Sequence, residues 1–192
     1  MSCKNLLIIS IHSGTERLNQ ALATAYADSA AAASHNIRCL QLDQLSFNPL
    51  LQGYQNAPAL EPDLQAAQAD ILWAEHITLI YPIWWGSVPA LLKGFFDRVL
   101  LPGFAYKYQS GKKYPQPLLL GRTAHLLLTM DTPPWYYRWV DGAPGLRQVS
   151  RTTLGFCGIK TVKSLLLGPV ISSTLAQRQR WLQQAGQLAQ RL

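Results

Sequence analysis

Cysteine is scarce in this chain, and its copies at Cys3, Cys39 and Cys157 lie far apart. An odd, widely spaced set makes no disulfide framework and no metal-ligand spacing. Free thiols in a reducing compartment, the cytoplasm, are expected, and no metal site. Long apolar runs are also missing: no stretch reaches the roughly 18 residues of a membrane helix. The run after Met1-Ser2-Cys3-Lys4 is short, and His12 and Glu16-Arg17 break the apolar character beyond it, so no cleavable signal is read. Acidic residues are few, 10 against 17 lysines and arginines, which leaves a formal charge of +7. Such a balance attracts anions such as nucleotide phosphates. The basic residues are scattered, with only Lys112-Lys113 adjacent, and no nucleic-acid motif accompanies them, so no nucleic-acid partner is expected. Neither GxGxxG nor GxxxxGK[ST] occurs, which excludes the dinucleotide fingerprint and the P-loop. No repeat or low-complexity linker divides the 192 residues, enough for one α/β domain over 1–192.

What the chain does have is alternation. Residues 5–11 (NLLIISI) form a continuous apolar run, the mark of a parallel strand buried on both faces. Residues 18–33 have apolar positions at helical spacing. Further strands are read at 36–42, 77–81, 123–129 and 162–167. Further helices are read at 64–74 (capped by Asp63), 88–101, 146–157 and 175–192. Segments 43–62, 102–117 and 130–144 read as loops. Strands alternating with helices predict an α/β fold with a parallel sheet covered on both faces. Right-handed crossovers and five strands suit the order 2-1-3-4-5, whose switch point lies between the first and third strands.

Three loops that come after strands one, three and four would open onto the same sheet edge, and they hold the unusual residues. The first, His12 to Asn19, enters a helix N-terminus, where unpaired N–H groups favour phosphate. Ser13, Thr15 and Asn19 add donors and Arg17 adds charge; capping of the helix by Ser13 or Thr15 is the plainer alternative. The second is Pro82-Ile83-Trp84-Trp85-Gly86-Ser87. Two adjacent tryptophans on a turn cannot both face one core, so a flat ligand stacking on Trp85 is expected. The third, from Thr129 through Asp131 and Thr132 to Arg138, is rich in aromatics, as is Phe104-Ala105-Tyr106-Lys107-Tyr108, where both tyrosines are expected to be exposed. Aromatic density of this kind marks binding surfaces.

Residues 81–108 carry Pro-x-x-Trp, Val-Pro-Ala-x-Leu-Lys-Gly-x-Phe-Asp-Arg-Val and Gly-Phe-Ala-Tyr-x-Tyr. With His12, Asn19 and the Phe156-Cys157-Gly158 segment, the chain resembles the flavodoxin-like NAD(P)H:quinone oxidoreductases. The resemblance implies a flavodoxin-like three-layer sandwich. It implies that His12, Thr15, Arg17 and Asn19 hold a flavin phosphate, and that Pro82, Ile83, Trp84 and Trp85 support the isoalloxazine ring. Thr129, Asp131 and Thr132 occupy the place of a flavin-contacting Thr-Thr-Gly-Gly loop. Tyr106 and Tyr108 match tyrosines that line the substrate pocket, often from the partner subunit of a dimer. The chain departs from the pattern at Gly86, where a bulkier residue is common and the pocket is expected to widen. It departs again at Met130-Asp131-Thr132-Pro133-Pro134, and where the family's tyrosine–histidine pair would stand. Tyr136 or Tyr137 lies nearest that pair, with Tyr136 taken as substrate-binding, and no catalytic acid is assigned.

The expected activity is transfer of hydride from NADPH or NADH through flavin N5 to quinones or similar small acceptors, by ping-pong turnover. FMN is the first choice of cofactor and FAD the alternative, because no segment reads as an adenosine pocket. A homodimer is expected from the aromatic segments 104–108 and 135–139. Two other readings share the fold: a regulatory flavoprotein subunit of a potassium-efflux-type transporter, and a flavodoxin-type electron carrier. The positive charge weighs against the carrier.

Overall fold

The computed structural model describes residues 3–12, 17–54 and 59–192. Strand β1 (Asn5–Ser10) lies between β2 (Asn36–Gln41) and β3 (His76–Pro82), parallel to both. Alternate β1 side chains enter opposite layers, as the period of two requires. Leu6 and Ile8 pack on the side of helices α1 (Leu18–Ala32) and α6 (Leu175–Gln190). Leu7 and Ile9 pack on the side of α2 (Pro62–Trp73) and α3 (Ala90–Val99). After α3 comes a small antiparallel hairpin, β4 (Tyr106–Lys107) and β5 (Gln116–Pro117). Strand β6 (Thr123–Thr129) then pairs with β3, and β7 (Lys160–Leu167) pairs with β6. The sheet order is β2-β1-β3-β6-β7, which is the expected 2-1-3-4-5 for its five strands. Helices on both faces complete the three-layer arrangement.

Several boundaries differ from the sequence reading. Helix α2 starts at Pro62, whose missing N–H costs nothing in the first turn, with Glu61 at the N-cap. Asp63 therefore does not cap it; its Oδ2 accepts from the Ser46 N–H at 2.7 Å. The segment 130–144 read as loop contains helix α4 (Pro134–Trp139), again opened by proline. Its aromatic run hides the helical period. The helix read over 146–157 begins earlier, as α5 (Pro144–Arg147), and widens into a π-helical stretch over Gln148–Gly155. The loop 102–117 holds the β4–β5 hairpin. The strand read from 162 begins at Lys160.

The long loop after β2 is pinned to α3 by a buried arginine. Arg98 Nη2 meets Glu61 Oε2 at 2.7 Å, and its Nη1 donates to the Asn48 carbonyl. Gly94 of α3 lies under Pro49, where a β-carbon would collide with proline side chain and backbone. These contacts explain a lysine-glycine-x-phenylalanine-aspartate-arginine run in structural terms: glycine admits the loop and arginine ties it down.

Candidate functional site

The carboxyl ends of β1, β3 and β6 meet at the point where the chain leaves β1 toward β2 on one side and β3 on the other. Ligands bind at such a point in open α/β sheets. Asn19, in the first turn of α1, clamps two of these ends together. Its Nδ2 donates to the Ile11 carbonyl at 3.3 Å, and its Oδ1 accepts from Thr129 Oγ1 at 2.9 Å. Both side chains are buried. Asn19 and Thr129 thus shape the floor of the site and hold its first and third loops in register. His12 sits beside them. Its Nε2 is 3.2 Å from Ser10 Oγ, and its backbone N–H donates to Asp43 Oδ1 at 3.4 Å. Burial pulls the imidazole below its ordinary pKa, with Asp43 opposing, so a neutral ring is favoured near pH 7. Its Nδ1 is buried with no partner among the described residues. A buried ring nitrogen without a partner fits a site that receives a polar ligand. Thr15, with the rest of 13–16, lies outside the described residues.

The second loop owes its shape to a two-residue turn. The Trp84 N–H donates to the Ser87 carbonyl at 3.0 Å, and the Ser87 N–H returns to the Trp84 carbonyl at 2.9 Å. Between them Trp85 has φ +51° and Gly86 φ +73°, the mirror-image turn that favours Asn-Gly or Gly-Gly. Gly86 is therefore required by the turn, where the sequence suggests only a wider pocket. Trp85 is not a residue that prefers this backbone. It adopts a strained conformation and presents its indole wholly to solvent. Strain of this kind persists only where the surroundings impose it, and it clusters at ligand sites. Pro82 ends β3, the Ile83 N–H donates to the Thr129 carbonyl at 2.7 Å, and Trp84 is partly exposed. Pro82, Ile83, Trp84, Thr129, Asp131 and Val170 line a shallow cleft of about 50 Å³. The second and third loops thus come together as expected.

Tyr137 locks the second loop from above. It is buried, its hydroxyl donates to the Gly86 carbonyl at 3.2 Å, and it accepts from the Leu146 N–H at 3.2 Å. Burial raises its pKa, so it stays a neutral phenol. Tyr136 points the other way and is exposed, its ring edge-on to Trp135 at 5.6 Å. Of the two tyrosines, only Tyr137 touches the loop. Asp131 is exposed and its Oδ1 accepts from the Ile171 N–H at 2.8 Å, which brings the segment after β7 to the site. Thr132 is half-buried beside it.

Arg17 stands at the head of α1 and lines a second, larger cavity of about 610 Å³. Leu18, Ala21, Val170, Ile171, Arg178 and Leu182 complete its walls with Asp131. This cavity was not legible locally. Arg178 and Leu182 lie on α6, and only the packing of α6 against α1 brings them to Arg17.

Tyr106 and Tyr108 are not among the residues that line the switch-point cleft. They line a separate cavity of about 410 Å³ with Tyr54, Phe96, Gln148 and Phe156. Tyr106 is not exposed as expected: it is 8% accessible against 73% for Tyr108, because Phe156 packs edge-on to it at 4.9 Å. The two tyrosine rings stand 5.7 Å apart, nearly perpendicular.

Fold and loops together define an open α/β protein whose switch-point site is framed by tryptophans. The flavodoxin-like fold family matches residues 4–191. The chain belongs to the flavodoxin-like NAD(P)H:quinone oxidoreductase family. It is 33% identical to an uncharacterized NAD(P)H oxidoreductase of Haemophilus influenzae over 172 residues, 86% of this chain and 84% of that one. It is 37% identical over 120 residues to mouse ribosyldihydronicotinamide dehydrogenase [quinone], 59% of this chain and 48% of that one. The chain thus spans about half the length of that mammalian relative. The FMN-dependent NADH-azoreductase of Bacillus anthracis, solved in complex with FMN, superposes with TM-score 0.73 over 97% of each chain at 15% identity, a likeness of fold.

Proposed function

We propose that this chain is a flavin-dependent NAD(P)H oxidoreductase acting on quinones or similar small acceptors. The observation that carries the reading is Trp85, held at positive φ with its ring free beside the switch point. A flavin bound there would supply two-electron hydride chemistry between NADPH or NADH and a quinone, in two ping-pong half-reactions. The chain's residues supply position. Trp85 would offer its face to the ring, with Pro82, Ile83 and Trp84 as the rim and Thr129, Asp131 and Thr132 flanking it. The α1 N-terminus with His12, Thr15, Arg17 and Asn19 receives or frames the phosphate. Tyr137 fixes the turn and leaves Gly86 as a rigid edge. No proton-transfer residue is needed for hydride transfer itself, and none is assigned.

FMN, with which the superposed azoreductase was solved, is the first choice of cofactor. The Arg17–Arg178 cavity favours FAD as a second reading, since two arginines lining it with Leu18, Ala21 and Leu182 suit an adenosine diphosphate extension. The separate tyrosine cavity supports a homodimer in which Tyr106 and Tyr108 of one copy would line the flavin site of the other, with Tyr136 at the same mouth. Free cysteines suit the cytoplasm.

The test is an absorbance spectrum of the purified protein, with NADPH then added anaerobically. Flavin bands that bleach are expected, and acid release with chromatography then names FMN or FAD. A colourless protein that binds neither added flavin overturns the proposal.

A further inference from the structure

The switch-point cleft and the larger Arg17–Arg178 cavity share two residues of their walls, Asp131 and Val170. Among the described residues, Asp131 is the only acid that lines either. Its place is fixed by backbone. The Met130 N–H donates to the Leu167 carbonyl at 3.0 Å, and the Met130 carbonyl accepts from the Val170 N–H at 3.0 Å. The Ile171 N–H then reaches Asp131 Oδ1 at 2.8 Å. The segment after β6 is thus laced to the segment after β7, with the carboxylate where the two cavities adjoin.

That carboxylate keeps its charge unbalanced. Among the described residues no lysine or arginine forms a salt bridge with it. Arg178, on the same cavity wall, is engaged elsewhere: its Nε donates to Ser173 Oγ at 2.8 Å and its Nη2 to the Val170 carbonyl at 3.3 Å. Asp131 is exposed, and a planar ligand filling the cleft would meet its carboxylate with solvent on one side only. Holding the Ile171 N–H takes an acceptor, which a neutral amide supplies equally well. The negative charge is more than that role requires.

We propose that the Asp131 carboxylate lowers the reduction potential of a flavin bound at the switch point. The inference rests on the flavin reading given under the proposed function. The oxidised isoalloxazine ring is neutral. A hydride from NADPH, two electrons with one proton, leaves NADP+ behind and makes the ring an anion. A fixed negative charge at the edge of the ring therefore disfavours the reduced form and leaves the oxidised form nearly untouched. The reduced cofactor becomes a stronger donor, suited to acceptors that are hard to reduce.

The experiment is equilibrium reduction of the flavin-loaded chain against a dye of known potential, with fluorescence titration of the apoprotein by oxidised FMN. Asp131→Asn keeps an acceptor for the Ile171 N–H and removes the charge. Removing a unit charge beside a solvent-open ring changes the ratio of reduced to oxidised affinity about tenfold. The potential of the variant should therefore lie about 30 mV above the parent's, with its affinity for oxidised FMN within about twofold. The difference should shrink in about 0.5 M salt, because an exposed charge is screened. Asp28→Asn, which removes the same charge near the far end of α1, should leave the potential unchanged. Asp131→Ser serves in the same assay where the asparagine variant fails to fold. Equal potentials in parent and variant, a lower one in the variant, or an equal rise in Asp28→Asn overturns the proposal. A chain that binds no flavin sinks the proposed function itself, and this inference with it. Flavin bound by the variant at an unchanged potential sinks the inference alone.

Discussion

Replacing Trp85 by glycine should move stability and cofactor affinity in opposite directions. The indole makes no packing contact to lose, since it is fully exposed. Its backbone sits at φ +51°, where a residue with a β-carbon is destabilised by about 1–2 kcal/mol. Glycine removes that strain but loses about 0.5–1 kcal/mol to its freer unfolded chain. The cofactor-free Trp85→Gly protein should therefore be as stable as the parent or up to about 1.5 kcal/mol more stable. Covering one indole face by a flavin buries apolar area on the order of 100 Å², which contributes about 2–3 kcal/mol. Its loss should weaken flavin binding about 30- to 150-fold. Trp85→Ala should lose the same affinity and keep the strain, which separates the two effects. Urea unfolding of the apoprotein and fluorescence titration with FMN and FAD measure both quantities. A Trp85→Gly protein destabilised by more than about 1 kcal/mol, or one with unchanged flavin affinity, would refute the placement of this ring.

Three other outcomes are expected. Arg98→Met should cost about 2–4 kcal/mol in urea unfolding, because Glu61 and the Asn48 carbonyl lose a buried charged donor; a loss below about 1 kcal/mol would show that the loop is held by other contacts. Stability should fall in acid through the buried cluster in which Tyr26 Oη lies 2.8 Å from His125 Nδ1 and His76 Nδ1 lies 2.7 Å from Thr123 Oγ1. Burial lowers His125 to about 4 and His76 to about 2, with Lys4, His35 and Lys163 adding repulsion. Both folded values lie below that of an unfolded histidine, so the unfolded state binds more protons. The stability is complete above about pH 6.5 and declines toward pH 4, by about 2–3 kcal/mol for His125 alone. His125→Leu should flatten that decline in urea titrations, and equal parent stability at pH 7 and 4.5 would contradict it. Finally, light scattering at micromolar concentration should give about twice the 21.4 kDa chain mass, and Tyr108→Ala should raise the Michaelis constant for a quinone; a monomeric mass speaks against the shared pocket.

The sheet was legible because burial on both faces leaves continuous apolar runs, and the 5–11 and 123–129 segments have no other reading. The α4 helix was not, because Pro133 and Pro134 resemble a loop signal when they are a helix start, and the aromatics after them face solvent instead of a core. Asp63 shows the same ambiguity: an acid near a helix start can cap it or, as here, hold a neighbouring loop.

At the site, residue identity was readable and residue conformation was not. Trp84-Trp85-Gly86 announces a ligand surface by composition, but the positive φ that turns Trp85 outward is a property of the closed Trp84–Ser87 turn. Asn19 reads as a phosphate contact, yet its side chain is committed to Ile11 and Thr129, a bond across 110 residues that no local pattern encodes. The same limit hides the Arg17–Arg178 cavity, whose walls come from the first and last helices and from the segments after β6 and β7. Chemistry at a switch point is assembled from strand ends far apart in the chain. A reading along the sequence therefore finds the aromatic and basic residues, and the sheet order decides which of them can act on one ligand.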